Sequence, residues 1–225
     1  MKKELIFVFD IDSTVIKLET LNDIITKKCF DKEKANQLNE ISSKALIGEY
    51  DYHEAMVKRF YLNKLTKKDF TNENECIKNN LVEGIKDILS FISKNKGIVY
   101  FVSGGFLINI LYVAKLLHIE KEYVYANDFE TKNNELILKN SSLTYVDGKI
   151  QVCEEIKKKY QNPFVIMIGD GITDLNVWKA RASDEFIGAG YVVKRQKIKD
   201  ESKYYANSVM ELKKIIENFF LQINA

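Results

Sequence analysis

The stretch Leu5-Ile6-Phe7-Val8-Phe9-Asp10-Ile11-Asp12-Ser13-Thr14-Val15 decides how this chain folds. Five apolar residues run without a break into two aspartates. A run that short and that uniformly apolar suits a strand buried on both faces, as in a parallel sheet. Comparable runs follow at 98–102, 123–126 and 164–168, and a shorter one at 186–187 precedes Gly188. Helical patterns cover 85–93, 107–117 and 152–160, and 209–220 reads as a closing helix. Strands alternating with helices predict an α/β fold with a Rossmann-like parallel sheet.

Between the first strand and the rest, residues 16–77 break the alternation. They are polar and lysine-rich, with helical stretches at 21–29, 33–47 and 52–62 and no buried strand. The expectation is a helical cap over 16–77, inserted into a core made of 1–15 and 78–225. A smaller insertion at 127–145, with Asn133-Asn134 between two apolar segments, reads as a β-hairpin. Pro163 stands just before the 164–168 run, where a helix must already have stopped.

Composition narrows the function. The chain has 225 residues, 46% hydrophobic and 29% charged, enough for one domain carrying an insertion. Its 34 basic and 32 acidic residues are too balanced to suggest a nucleic-acid partner. Only Arg59, Arg181 and Arg195 are arginines, so an arginine inside the 16–77 segment stands out. Cys29, Cys76 and Cys153 form no CxxC pair, which argues against a zinc site and a disulfide framework. No apolar stretch approaches the ~20 residues of a membrane span. A cytoplasmic protein with no membrane partner, monomeric or homodimeric, is expected.

Three of the strands end in polar sequences: Asp10-Ile11-Asp12-Ser13-Thr14, Ser103-Gly104-Gly105, and Gly169-Asp170-Gly171-Ile172-Thr173-Asp174. Ligands of open parallel sheets bind outside the carboxyl ends of the strands, so these groups are expected in one crevice. Carboxylates from Asp10, Asp12 and Asp170 would repel one another without a cation, and oxygen ligands alone favour Mg²⁺. Ser103 and the glycines after it offer a hydroxyl and free N–H groups at a helix start, suited to a phosphate. Lys149 is the candidate for spreading phosphoryl charge. An aspartate can attack phosphorus and form an aspartyl-phosphate that water later cleaves.

DIDSTV, VSGGF, Asp147-Gly148-Lys149 and GDGITD stand in an order and spacing that resembles the haloacid dehalogenase superfamily of phosphatases. The forms DxDSTV and VSGGF are similar to those of its phosphoserine phosphatase family. The resemblance spans nearly the whole chain, including FIGAG and Lys194-Arg195-Gln196. It implies Asp10 as nucleophile and Asp12 as general acid and base. Mg²⁺ would be held by Asp10, the backbone carbonyl of Asp12, and Asp170, with Asp174 in support. Ser103 and Lys149 would hold the phosphoryl oxygens, with contacts from Gly104, Gly105 and Thr173. In the cap, Glu19 would meet the ammonium of a phosphoserine substrate and Arg59 its carboxylate, which a guanidinium fork suits.

Leu46 stands where relatives often carry a methionine, and Asp147 adds a negative charge before the lysine. Taken singly, a DxD can be a solvated pair of acids, Ser103-Gly104-Gly105 a tight turn, and Lys149 one surface lysine among many. Glu19 and Arg59 could form an ordinary surface ion pair, worth little. His53 and His118 read as structural or exposed. Gly188-Ala189-Gly190 is too short for a dinucleotide fingerprint. The rival readings are a phosphatase or phosphotransferase for another small phosphomonoester, and a receiver-like module in which Asp10 stays phosphorylated.

Overall fold

A computed structural model describes residues 3–28, 31–46, 49–62, 64–133 and 135–224. Cys29, and Asn134 of the expected hairpin turn, lie outside these, as does the side chain of Leu46. Six parallel strands form the main sheet: β1 (Glu4–Phe9), β2 (Ile98–Phe106), β3 (Val124–Asn127), β6 (Pro163–Gly169), β7 (Glu185–Ala189) and β8 (Tyr204–Ala206), in the order β3-β2-β1-β6-β7-β8. The hairpin strands β4 (Phe129–Lys132) and β5 (Glu135–Leu138) pair antiparallel, with Asn133 in the left-handed region at φ 51°. No helix among the described residues is long and apolar enough to cross a membrane.

The unbroken apolar run of β1 is explained by its place at the centre. It pairs with β2 on one side (Phe9 opposite Phe101) and β6 on the other (Phe9 opposite Ile168). Alternate side chains then face opposite layers. Leu5, Phe7 and Phe9 pack with α5 (Ile85–Lys94), α6 (Leu107–Leu117) and α10 (Val209–Asn224). Ile6 and Val8 pack with α7 (Gly148–Lys158) and α8 (Ile172–Lys179).

After Val15 the chain leaves the sheet, and it returns at Val82. The two stems lie side by side, with Lys17 N bonded to Asn80 O at 2.8 Å and Val82 N to Val15 O at 3.0 Å. Between them run α1 (Thr20–Lys28), α2 (Lys32–Leu46), α3 (Tyr52–Leu62) and α4 (Lys67–Asn79). They share an apolar cluster in which Ile24, Met56, Phe60 and Phe70 meet Phe106 of β2 and Leu136 of the hairpin. Phe60 stacks on Phe106 with ring centres 5.2 Å apart.

Four elements escaped the sequence reading: α4, α8, the short helix α9 (Gln196–Glu201) and β8. The helix α4 is announced by Thr66-Lys67-Lys68-Asp69: the Asp69 carboxylate accepts from Thr66 N at 2.7 Å and Thr66 Oγ at 2.8 Å. That is a reciprocal cap written in the sequence. The edge strand β8 is three residues long and carries no apolar run to signal it.

One expectation is corrected. Ser103, Gly104 and Gly105 are not a helix start. They belong to the end of β2, whose register shifts between Val102 and Phe106, and α6 begins at Leu107. Asn127 Nδ2 holds Gly104 O at 2.8 Å across the irregularity. The N–H of Gly105 is taken by Ser103 Oγ at 3.0 Å, so it is not free for a ligand in this geometry.

Candidate active site

The carboxyl ends of β1, β2 and β6 open into one cleft of about 70 Å³, roofed by α1, α2 and α3. Of the residues singled out from the sequence, Asp10, Asp12, Glu19, Arg59, Ser103, Gly104, Gly105, Lys149, Asp170 and Thr173 all line it. Only Asp174 does not; it lies fully buried behind Lys149.

Each motif is shaped locally. Beyond Asp10 the chain tightens, with the N–H groups of Thr14, Val15 and Ile16 all directed at Ile11 O. Ser13 takes a left-handed backbone at φ 54°, and its hydroxyl donates to Glu19 Oε1 at 2.8 Å. Thr20, at the start of α1, donates to Asp12 through N (3.1 Å) and Oγ1 (2.6 Å). The insertion therefore fixes the orientation of Asp12. At the end of β6, a side chain on Gly169 would run into the Asp174 carboxylate, so glycine is required there. Asp174 accepts from Gly171 N at 3.0 Å, which ties the turn to the first turn of α8.

Lys149, 5% exposed, is no surface lysine. Its Nζ lies 2.7 Å from Asp10 Oδ1 and 2.6 Å from Asp174 Oδ1. Burial pulls its pKa down, but the two carboxylates outweigh this and hold it above the ordinary lysine value. The carboxylates feel the same burial in the opposite sense. Asp170 is pushed up to about 8 by burial, a rise that Arg195 opposes and Asp10 adds to. Asp174 rises to about 6, again through burial, with Lys149 opposing. Burial and Glu19 raise Asp12 well above the usual carboxylate range, against the Thr20 hydrogen bonds. Burial also raises Glu19, while Ser13 and Arg195 restrain it.

Carboxylate oxygens of Asp10, Asp170 and Asp174 all lie within 4.8 Å of one another. Three crowded hard donors, with no imidazole or thiolate among them, are a set that can hold a metal ion. The Asp12 carboxylate is engaged by Thr20 instead. His53, read as structural or exposed, stacks on Tyr145 at 4.2 Å and places Nδ1 3.1 Å from Thr144 Oγ1.

Sequence reasoning missed Arg195. Its Nε binds Asp170 Oδ2 at 2.9 Å and its Nη2 stands 3.6 Å from Glu19 Oε1. It joins the core carboxylate cluster to the insertion. Its signals were its rarity in a lysine-rich chain and its place in Lys194-Arg195-Gln196, within the stretch of resemblance, but it was given no role. Arg59, 9% exposed, donates from Nη2 to Asn22 Oδ1 at 2.5 Å.

The haloacid dehalogenase-like hydrolase family matches residues 5–180. The chain belongs to that family. It is 30% identical over 207 residues to a human phosphoserine phosphatase, covering 91% of this chain and 89% of the relative. Among solved structures, a phosphoserine phosphohydrolase-like protein from Francisella tularensis superposes with a TM-score of 0.84 at 28% identity, covering 96% of this hydrolase and all of that chain. A substrate-bound phosphoserine phosphatase complex shares the fold at TM-score 0.80 and 22% identity, over 97% of this chain and 99% of that one.

Proposed function

We propose that this hydrolase is a Mg²⁺-dependent phosphoserine phosphatase, converting O-phospho-L-serine and water to L-serine and phosphate. The observation that carries the reading is the pairing of opposite needs in one cleft. Asp10 and Lys149 sit on the core side, and Glu19 and Arg59 on the insertion side. A phosphoryl group fits the first pair, and a zwitterionic amino-acid head the second. The human relative carries the name of that activity.

Residues 1–15 and 78–225 act as the catalytic core, and 16–77 as a cap that closes over the ester and excludes water. Ser103, Lys149 and Thr173 seat the phosphoryl oxygens; the Gly105 N–H orients the Ser103 hydroxyl, and Gly104 lines the seat beside it. Asp10 attacks phosphorus, the bond to the serine oxygen breaks, and Asp12 gives that oxygen a proton. The raised pKa of Asp12 suits it to carry this proton. Asp12 then takes a proton from water, the water oxygen attacks phosphorus, and the Asp10–phosphorus linkage breaks to release phosphate. Glu19 faces the substrate ammonium, and Arg59 grips its carboxylate bidentately. Asp10, Asp170 and the Asp12 carbonyl would hold Mg²⁺, with Asp174 behind them; the ion supplies charge neutralisation of the phosphoryl oxygens and the crowded carboxylates. The reading places the protein in the cytoplasm, acting on a small molecule.

The test is to quench turnover in acid and map the phosphorylated peptide by mass spectrometry. Phosphate on Asp10, accumulating in Asp12→Asn, is expected. Phosphate on another residue, or none in either protein, contradicts the mechanism.

A further inference from the structure

Tyr52 opens α3, and its ring reaches over the cleft to the end of β2. The chemistry above leaves it without a role. A Cβ built on Gly104 would overlap the Tyr52 hydroxyl oxygen, although it would stand an ordinary 3.7 Å from Cζ. The hydroxyl alone, and not the ring, thus lies against the backbone of the Ser103-Gly104-Gly105 segment. Lys149, Asp10, Arg59 and Asp174 are the charged groups close enough to act on the phenol. The first two bracket the phosphoryl seat. No hydrogen bond joins the hydroxyl to another described residue. A polar group brought to such a place without a protein partner is left to water or to what binds there. Burial holds the phenol at a pKa of about 12, so near neutral pH it remains an O–H donor.

We propose that the Tyr52 hydroxyl donates a hydrogen bond to the phosphoryl group of the bound ester, completing from the insertion side a cradle whose other donors come from the core. The inference rests on the phosphatase reading and adds to it a contact that forms only when α3 lies over β2. It also gives Gly104 a reason: the position has no room for a side chain because the hydroxyl needs that space. Since the contact is to the phosphoryl group, it serves every ester alike, unlike Arg59, which serves only esters bearing a carboxylate.

The experiment uses Tyr52→Phe, Gly104→Ala and the double variant. kcat/KM is measured for L-phosphoserine and p-nitrophenyl phosphate, and affinity for inorganic phosphate by calorimetry with Mg²⁺ present. Tyr52→Phe is expected to lower kcat/KM for both esters by about ten- to a hundredfold and to weaken phosphate binding comparably, the usual weight of a hydrogen bond to a charged acceptor. Gly104→Ala is expected to be more active in the Tyr52→Phe background than alone, because removing the oxygen makes room for the methyl group. The proposal is overturned if Tyr52→Phe stays within twofold on phosphate affinity, if its loss is confined to phosphoserine, or if the double variant shows no rescue. Should the wild-type protein cleave neither ester, the phosphatase reading fails, and the phosphate titrations still decide the role of Tyr52.

Discussion

Lys149 Nζ bridges Asp10 and Asp174, at 2.7 Å and 2.6 Å, in a site where all three side chains are shielded from water. One cation lies between two carboxylates, and it places a positive charge where phosphoryl oxygens would gather. Replacing Lys149 by Met removes that charge with little change of volume. Activity is expected to fall by about 10²–10³ in kcat, the scale of losing one preorganised electrostatic contact. Stability is expected to drop by about 3–5 kcal/mol, because two buried carboxylates lose their partner. Steady-state kinetics and thermal melts check both; an unchanged melt with lost activity would show that the bridge has no structural part.

Metal binding should depend on pH through Asp170. Its folded pKa, pushed to about 8 by burial, lies above the ordinary carboxylate value, so the folded metal-free protein holds a proton that the unfolded chain has lost. Its stability therefore declines as pH rises from about 4 to 8. A bound cation reverses that decline by favouring the ionised form. The gap between melting temperatures with Mg²⁺ and with EDTA is expected to widen from pH 6 to pH 8 and then level off. A gap independent of pH would remove Asp170 from the metal site.

Arg195 is expected to compete with the metal for Asp170, since both would share one carboxylate while repelling each other. At a pH high enough to ionise Asp170 in the variant as well, since losing Arg195 raises that carboxyl further, Arg195→Gln should bind Mg²⁺ about three- to tenfold more tightly, a modest like-charge effect at a partly screened site. Isothermal titration measures this directly. Weaker binding at that pH would mean that Arg195 holds Asp170 in place for the ion.

Arg59→Ala should raise KM for L-phosphoserine by about a hundredfold, the worth of a partly buried bidentate ion pair, and leave p-nitrophenyl phosphate within about threefold. Arg59→Lys should recover little, because an ammonium cannot reproduce the fork. Equal losses on both esters would show that Arg59 shapes the cleft without gripping the carboxylate.

Much of this architecture was written locally. Two-sided burial of β1 demands the unbroken run from Leu5 to Phe9, and a parallel sheet puts Asp10, Ser103 and Asp170 at neighbouring strand ends whatever lies between them. What was hidden is what only the fold brings near. Arg195 meets Asp170 and Glu19 across long stretches of chain, and Lys194-Arg195-Gln196 alone does not say which carboxylates it meets. Tyr52 reads as one more aromatic at the start of a helix until its hydroxyl is seen against Gly104. Ser103-Gly104-Gly105 misled for a related reason. Glycines suggest a turn, but here they continue β2 through a register shift that Asn127 holds in place. The helix α4 lay open to reading in its Thr66–Asp69 cap.

The most direct measurement is phosphate release from a panel of small phosphomonoesters, with Mg²⁺ and with EDTA. Metal-dependent release with kcat/KM highest for L-phosphoserine, and none from Asp10→Asn, is expected. Metal-dependent release that favours an ester without an amino-acid head would contradict the roles of Glu19 and Arg59, and release that survives Asp10→Asn would contradict the central claim.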